Sequence, residues 1–195
     1  MVSENELLVL CEYLIATGQR KGASAVEVLA RSVDEMEANI EMGEISSVNR
    51  KVGDEIAIRL YVGKRMGSAF TNIPTRVAAS EAVDMALSSA RATTEDKDWL
   101  ALPEPSEYNE IEGLWNESVA ACESDKVVEI AAEIMSMATE AEAGLIPGFG
   151  GSGVSSYYSA YANSSGIAHS EKGTVAFASL GAIARIESGV TPLIF

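Results

Sequence analysis

Apolar residues recur with helical spacing in three parts of the chain. Near the N-terminus, Ser3 and Glu6 form a capping-box pattern that predicts the start of a helix. The apolar stripe of this helix comprises Leu7, Leu10, Cys11, Leu14 and Ile15. A second helix is predicted with Pro74 in its first turn and with a narrow face of small residues, and a third after Ser124, which can cap it.

Between the first two helices the hydrophobic period changes to two residues, which indicates strands. The clearest strand places Ile56, Ile58 and Leu60 on one face. Turns are expected at Gly43, at Gly53-Asp54 and at Gly63, and the predicted strands are 23–33, 36–42, 45–50, 56–62 and 66–71. Because connections this short cannot join parallel strands, residues 23–71 are predicted to form an antiparallel meander.

The second half of the chain contains a long segment without periodicity and then two extended segments. Residues 92–113 predict an irregular connection, and loops of this length are usually functional, mobile or wrapped on a surface. Two strands are expected at about 154–162 and 174–187, with a turn near 171–173. The glycine-rich residues 147–153 lack the Gly-Lys-Ser/Thr ending of a phosphate loop and favour a flexible hinge. Strands and helices are grouped rather than alternating, so the fold class is α+β.

Composition narrows the range of partners. The chain has 195 residues, 47% of them hydrophobic, which is enough for one sizeable core. Its 29 acidic and 14 basic residues give a net charge of −15, which disfavours nucleic acid and anionic membranes as direct partners. The N-terminus is acidic, and no apolar run approaches the ~20 residues that span a bilayer, so we expect a soluble cytoplasmic protein. Cys11 and Cys122 both lie in apolar helical patterns, which indicates buried reduced thiols.

No residue pattern predicts a catalytic or metal centre. His169 is the single histidine, and no Gly-x-Ser-x-Gly elbow accompanies it, so a surface or strand-edge role is expected. A zinc protease needs a helical His-Glu pair with a further ligand, which one histidine cannot supply. Glu35, Glu37 and Glu41 share a strand face and could bind a divalent cation, but an ordinary solvated face is the better interpretation.

Three tyrosines are the candidate contact residues. Tyr157, Tyr158 and Tyr161 fall close together in the predicted strand 154–162. Packing in a core or an interface explains such a patch most simply, and a peptide-contact surface is the functional alternative. We therefore take these three residues as the candidate substrate or peptide contacts.

Several motifs in a fixed order resemble a known family. They are residues 43–48 (Gly-Glu-Ile-Ser-Ser-Val), the strand 56–63 (Ile-Ala-Ile-Arg-Leu-Tyr-Val-Gly), residues 90–96 (Ala-Arg-Ala-Thr-Thr-Glu-Asp), residues 102–104 (Leu-Pro-Glu) and residues 163–166 (Asn-Ser-Ser-Gly). Together they resemble the N-terminal half of the TldD/PmbA family, the proteins once called modulators of DNA gyrase. The segments 90–96 and 102–104 look more like the PmbA (TldE) branch than the TldD branch.

The resemblance implies an α+β N-terminal half and a β-rich C-terminal half. In the TldD branch that second half carries a His-Glu-x-x-x-His zinc motif, and the paired subunits act as a metallopeptidase on unfolded or short peptides. No zinc ligand can be carried over to this chain, so no cofactor is expected in it. The implied role is to wall a peptide cavity and to contact a TldD/PmbA-type subunit, as a homo- or hetero-oligomer, without peptidase activity of its own.

The domain organisation follows from the same resemblance. Residues 1–195 are expected to be a single N-terminal domain of a longer architecture, and the apolar ending 191–195 favours a chain cut before its C-terminal domain. The alternative is a stand-alone protein- or peptide-binding module, which a stop codon directly after Phe195 would favour. An enzyme of unrecognised chemistry is the third hypothesis.

Overall fold

The architecture is helices packed on an antiparallel sheet, which confirms the predicted α+β class. The computed structural model describes residues 1–108, 111–141, 145–186 and 189–192. Its helices are α1 (Glu4–Arg20), α2 (Arg76–Ala92), α3 (Glu117–Ala120) and α4 (Ser124–Ala141). Its strands are β1 (Ala25–Glu41), β2 (Glu44–Val62), β3 (Arg65–Thr71), β4 (Leu145–Asn163), β5 (Ala168–Ile186) and β6 (Gly189–Val190). They pair in the order β3-β2-β1-β4-β5-β6.

The meander contains three strands, β1, β2 and β3, where the sequence predicted five. The turns at Gly43 and Gly63 are confirmed, and both glycines have positive φ, 84° and 61°. The turn at Gly53-Asp54 is wrong, because β2 continues through it. The break near Asp34 is also wrong: Asp34 stands in the same alternating row as Ser32 and Met36, and this polar residue only interrupts the apolar pattern of β1.

The glycine-rich segment 147–153 is part of β4 and not a hinge, and residues 171–173 lie within β5. Glycine is needed in this part of β4 because the backbone of β1 lies too close to leave room for a side chain. A Cβ at Gly151 would lie 2.5 Å from the Ala38 carbonyl oxygen, and one at Gly153 would lie 2.9 Å from the Met36 carbonyl oxygen. The glycine cluster therefore reflects close packing of β4. The same cluster in a sequence can equally indicate a flexible segment, so the sequence does not distinguish the two.

The chain divides into two compact units. Unit 1 comprises Met1–Val33, Val52–Glu112 and Tyr157–Lys172. Its core packs α1 and α2 against strand residues that include Val26, Ile56, Ile58, Leu60 and Ala160. The predicted capping box is confirmed: Glu6 N–H donates to Ser3 Oγ at 3.4 Å, and Ser3 N–H donates to Glu6 Oε2 at 3.0 Å.

Unit 2 comprises Asp34–Lys51, Gly113–Ser156 and Gly173–Phe195, of which the chain ending 193–195 lies outside the described residues. Its core joins α4 to strand residues, through Met36, Ala38, Ile40, Val127, Ala131 and Val154. Arg50 donates two hydrogen bonds to Asp34, at 2.9 and 2.6 Å. These bonds hold the pKa of Asp34 below its usual value.

The two cysteines differ in burial. Cys11 is fully buried in the core of unit 1, as predicted, and burial raises the pKa of its thiol to about 12. Cys122 is only partly buried, because it follows the short helix α3 rather than lying inside a packed helix. Both are free thiols. In the described ranges, no helix is long and apolar enough to cross a membrane.

Candidate functional site

Among the described residues, helices pack on one side of the unit 1 sheet only. Side chains alternate along a strand, so the even-numbered residues of β1, β2 and β4 face α1 and α2. Odd-numbered residues project to the opposite side. Ser68 and Phe70 of β3 pair directly with Arg59 and Ala57, so they share that side. We call this surface the open face; it comprises Glu27, Leu29, Arg31, Glu55, Ala57, Arg59, Ser68, Phe70, Tyr157, Ser159, Tyr161, His169 and Glu171.

A buried carboxylate organises the centre of the open face. Glu27 is 8% exposed although it is ionisable, and Arg59 forms an ion pair with its Oε1 through Nε. Tyr161 donates its hydroxyl to Glu27 Oε2 at 2.9 Å. The bond to Glu27 raises the pKa of Arg59, and burial, followed by the contacts with Glu27, raises the pKa of Tyr161. Both carboxylate oxygens are thus satisfied, which explains how Glu27 can be buried.

Two cavities lie on the open face and share Leu29 and Tyr161. The larger, of about 860 Å³, is lined by residues that include Ala57, Arg59 and Phe70. The smaller, of about 290 Å³, extends to residues of β5. Leu29 is 48% exposed and Phe70 is 74% exposed, so apolar side chains project into solvent beside the Glu27 cluster. A concave surface with apolar walls and a few fixed polar groups is typical of a ligand site. We call the two cavities together the groove.

The irregular segment after α2 packs at one end of the open face. Trp99 stacks on Tyr61, with ring centroids 4.1 Å apart and planes 24° apart. Asn163 Nδ2 donates to the Pro103 carbonyl oxygen at 2.9 Å, and the rings of Tyr108 and His169 lie 5.1 Å apart. The predicted long connection is confirmed for residues 93–108 and 111–112, and it is wrapped on a surface where it borders the groove. Residues 109–110 lie outside the described residues.

The structure places the three candidate tyrosines on two different sides of β4. Tyr161 lines the groove, and Tyr157 lies on the same face, with the Arg31 guanidinium 4.6 Å from its ring centroid. Tyr158 points the other way and packs against the core of unit 1. The three side chains therefore do not form one patch, because neighbouring residues of a strand project to opposite faces.

The sequence reading did not single out Glu27 or Arg59. The available signal was weak: each is a charged residue inside an otherwise apolar strand pattern, which is typical of a half-solvated face. Their pairing depends on β1 and β2 being neighbours, which brings together residues 32 positions apart.

The remaining candidate residues from the sequence are His169 and three glutamates of β1. His169 is exposed near the start of β5, as expected of a surface residue. Glu35 and Glu37 are partly buried and Glu41 is exposed in β1. Among the described residues, no three histidine, cysteine, aspartate or glutamate side chains are grouped so that they could hold a metal ion.

One protein-family model matches part of the chain. Residues 26–93, which carry most of the groove, match the family model described as PmbA/TldA metallopeptidase domain 1. This match and the structures below support an N-terminal domain of the TldD/PmbA family. Among solved structures, TldE from Thermococcus kodakarensis is similar, with a TM-score of 0.87 and 29% identity over 95% of this chain and 41% of that chain.

Two further structures share the fold of this PmbA/TldD domain. A protein named as a candidate modulator of DNA gyrase from Bacteroides thetaiotaomicron has a TM-score of 0.78 and 21% identity, over 92% of this chain and 41% of that chain. A similarly named protein from Thermotoga maritima has a TM-score of 0.75 and 14% identity, over 92% and 40%. The chain thus spans about two fifths of the length of these structures. No curated protein matches it in sequence.

Proposed function

We propose that this chain is the N-terminal domain of a TldD/PmbA-type peptidase system, and that its open face forms one wall of the cavity that holds the peptide substrate. The single observation that carries the proposal is the groove, most of whose lining residues lie within the part of the chain that matches a metallopeptidase domain. The proposed substrates are unfolded or short peptides.

The dimensions of the groove suit an extended peptide. Apart from Met85 of α2, its lining residues come from β3, β2, β1, β4 and β5, which are five consecutive strands of the sheet. Four strand spacings correspond to roughly 19 Å, the length of about six extended residues. Leu29, Ala57 and Phe70 offer apolar contact for side chains, and Arg59 offers N–H donors for peptide carbonyls. An unfolded chain can use such contacts without a fixed sequence.

The described residues do not fit a zinc site, because no suitable group of ligands is present among them. We therefore assign no metal-dependent step to this chain. In the proposal the catalytic groups belong to another part of the peptidase system, and this domain also contributes to subunit contacts. Ile73, which precedes α2, and Val77 in its first turn are 52% and 72% exposed and offer an apolar surface for such contacts.

Two matched substitutions test whether the groove binds peptides. Leu29→Glu places a charge in the groove, whereas Val9→Glu places one on α1; the two side chains are 48% and 44% exposed. Leu29 is 48% exposed, so a bound peptide can bury about half of its surface. Losing that burial costs roughly 0.7–1.5 kcal/mol, which corresponds to about a 3- to 12-fold weaker Kd. We expect this loss for Leu29→Glu and little change for Val9→Glu, measured by fluorescence anisotropy with a labelled unfolded peptide. Equal affinities for both variants would contradict a role for the open face.

The proposal also predicts that the purified chain does not cleave peptides by itself. The assay follows cleavage of a quenched fluorescent peptide with and without a metal chelator. Cleavage by the chain alone that stops when the chelator is added would show that the domain supplies catalytic groups, contrary to the proposed wall function.

A further inference from the structure

Two exposed carboxylates lie on either side of the apolar centre of the groove. Glu55 of β2 lines the larger cavity, and Glu171 of β5 lines the smaller one. Leu29 lines both cavities between them. We propose that the groove prefers peptides with a basic residue on each side of an apolar residue. This inference rests on the proposed function and specifies the chemistry of the peptide.

The charges of the groove leave it negative. Glu27 and Arg59 neutralise each other in their ion pair. Glu55 and Glu171 have no ion-pair partner within the described part of the chain. Arg31 also lies on the open face, but its guanidinium is against the Tyr157 ring and does not line either cavity. The net charge of −15 on the whole chain adds a long-range attraction for cations.

The strand order sets the spacing of the preferred side chains. Going across the sheet, β2, β1, β4 and β5 are consecutive, so Glu55 and Glu171 are three strand spacings apart in that direction. This separation is roughly 14 Å, or about four residues of an extended peptide. Residues i, i+2 and i+4 of such a peptide project to the same side. A Lys-x-Leu-x-Lys peptide therefore presents its leucine towards Leu29 and its lysines towards the two glutamates.

Arg59 is suited to hold the main chain of this peptide. Its Nε is bound to the buried Glu27, which fixes the direction of the guanidinium. The terminal Nη groups remain as donors for carbonyl oxygens of the peptide. Because Glu27 balances the charge of Arg59, this arginine gives an acidic peptide little advantage.

The test uses three labelled peptides of equal length: Lys-Ser-Leu-Ser-Lys, Gln-Ser-Leu-Ser-Gln and Glu-Ser-Leu-Ser-Glu, each with blocked ends. Exposed ion pairs change affinity by about two- to threefold each. The glutamate peptide replaces both attractive charge pairs by repulsive ones, so the lysine peptide should bind roughly tenfold or more tightly than the glutamate peptide. The difference should shrink at 1 M salt, where screening acts over about 3 Å. Anisotropy titrations of the full chain measure all three affinities.

Single substitutions test whether Glu55 and Glu171 cause the preference for basic peptides. Glu55→Gln and Glu171→Gln should each lower the affinity for the lysine peptide about two- to threefold and leave the affinity for the glutamine peptide unchanged. Glu81→Gln, an exposed carboxylate on α2, is the matched control and should change neither. Circular dichroism confirms that each variant is folded.

The outcomes separate this inference from the proposed function. If all three peptides bind equally, or if Glu81→Gln has the same effect as Glu55→Gln, the charge preference is overturned while peptide binding stands. If the glutamate peptide binds best, the preference is also overturned. If none of the three binds and longer unfolded peptides also fail to bind, both the inference and the proposed function are wrong.

Discussion

At the scale of single residues, Glu27 is the most informative side chain. It is buried on a face that no helix packs among the described residues, and it is held by Arg59 and Tyr161. A sequence pattern can assign each of these three residues to a strand face. It cannot show that they meet, because they are separated by 32 and 134 positions along the chain.

Replacing Glu27 should cost more stability than replacing Tyr161. Glu27→Gln removes the carboxylate that pairs with Arg59, and because Arg59 is 54% exposed the cost is limited to about 1–3 kcal/mol. Tyr161→Phe removes one hydrogen bond and leaves the ion pair, at a cost of ~0.5–1.5 kcal/mol. Urea denaturation of both variants measures the free energies of unfolding. A smaller loss for Glu27→Gln than for Tyr161→Phe would show that the ion pair does not organise this cluster.

The two cysteines should differ in reactivity. The pKa of Cys11 is raised to about 12 by burial, so at pH 8 its thiol is protonated and shielded. Cys122 is only partly buried. Brief treatment of the folded chain with iodoacetamide at pH 8 should modify Cys122 and spare Cys11, as read by peptide mass spectrometry. In urea both should react, and equal labelling in the folded chain would contradict the burial of Cys11.

At the scale of elements, glycine proved the hardest residue to interpret from sequence. Gly43 and Gly63 form turns as predicted, with positive φ. Gly53 carries the same sequence signal yet lies inside β2. Gly67 lies in β3 and has another function, because it lets α2 approach the sheet: a Cβ there would lie 2.5 Å from the Ala90 nitrogen. Only tertiary contacts distinguish these cases.

Gly67→Ala should therefore destabilise the chain, whereas Gly53→Ala should not. The added methyl group at Gly67 would also meet the Ala86 carbonyl, and overpacking of this kind costs typically ~1–3 kcal/mol. A Cβ at Gly53 has no atom within 4 Å, and its backbone is not in the positive φ region. Thermal unfolding compares the two variants. A similar Tm for both would mean that α2 does not pack closely on Gly67.

At the scale of the whole molecule, the sequence predicted the class, the meander and the family. The α+β class follows from grouped periodicities, and the family resemblance agrees with the match at residues 26–93. The groove could not be predicted, because it depends on the strand order β3-β2-β1-β4-β5. That order brings Phe70, Leu29 and Tyr161 to one surface from distant parts of the chain. Of the three predicted contact residues, Tyr161 lines this groove, and its substrate contact stays a prediction.

Photo-cross-linking tests the central claim most directly, because it reports where a peptide lies on the domain. An unfolded peptide carrying a benzophenone side chain is irradiated with the full chain, and the cross-linked residues are identified by mass spectrometry. The account predicts cross-links at Leu29, Phe70 and Tyr161, which are lost when unlabelled peptide competes. Competed cross-links confined to the exposed sides of α1 and α2, or to unit 2, would contradict it.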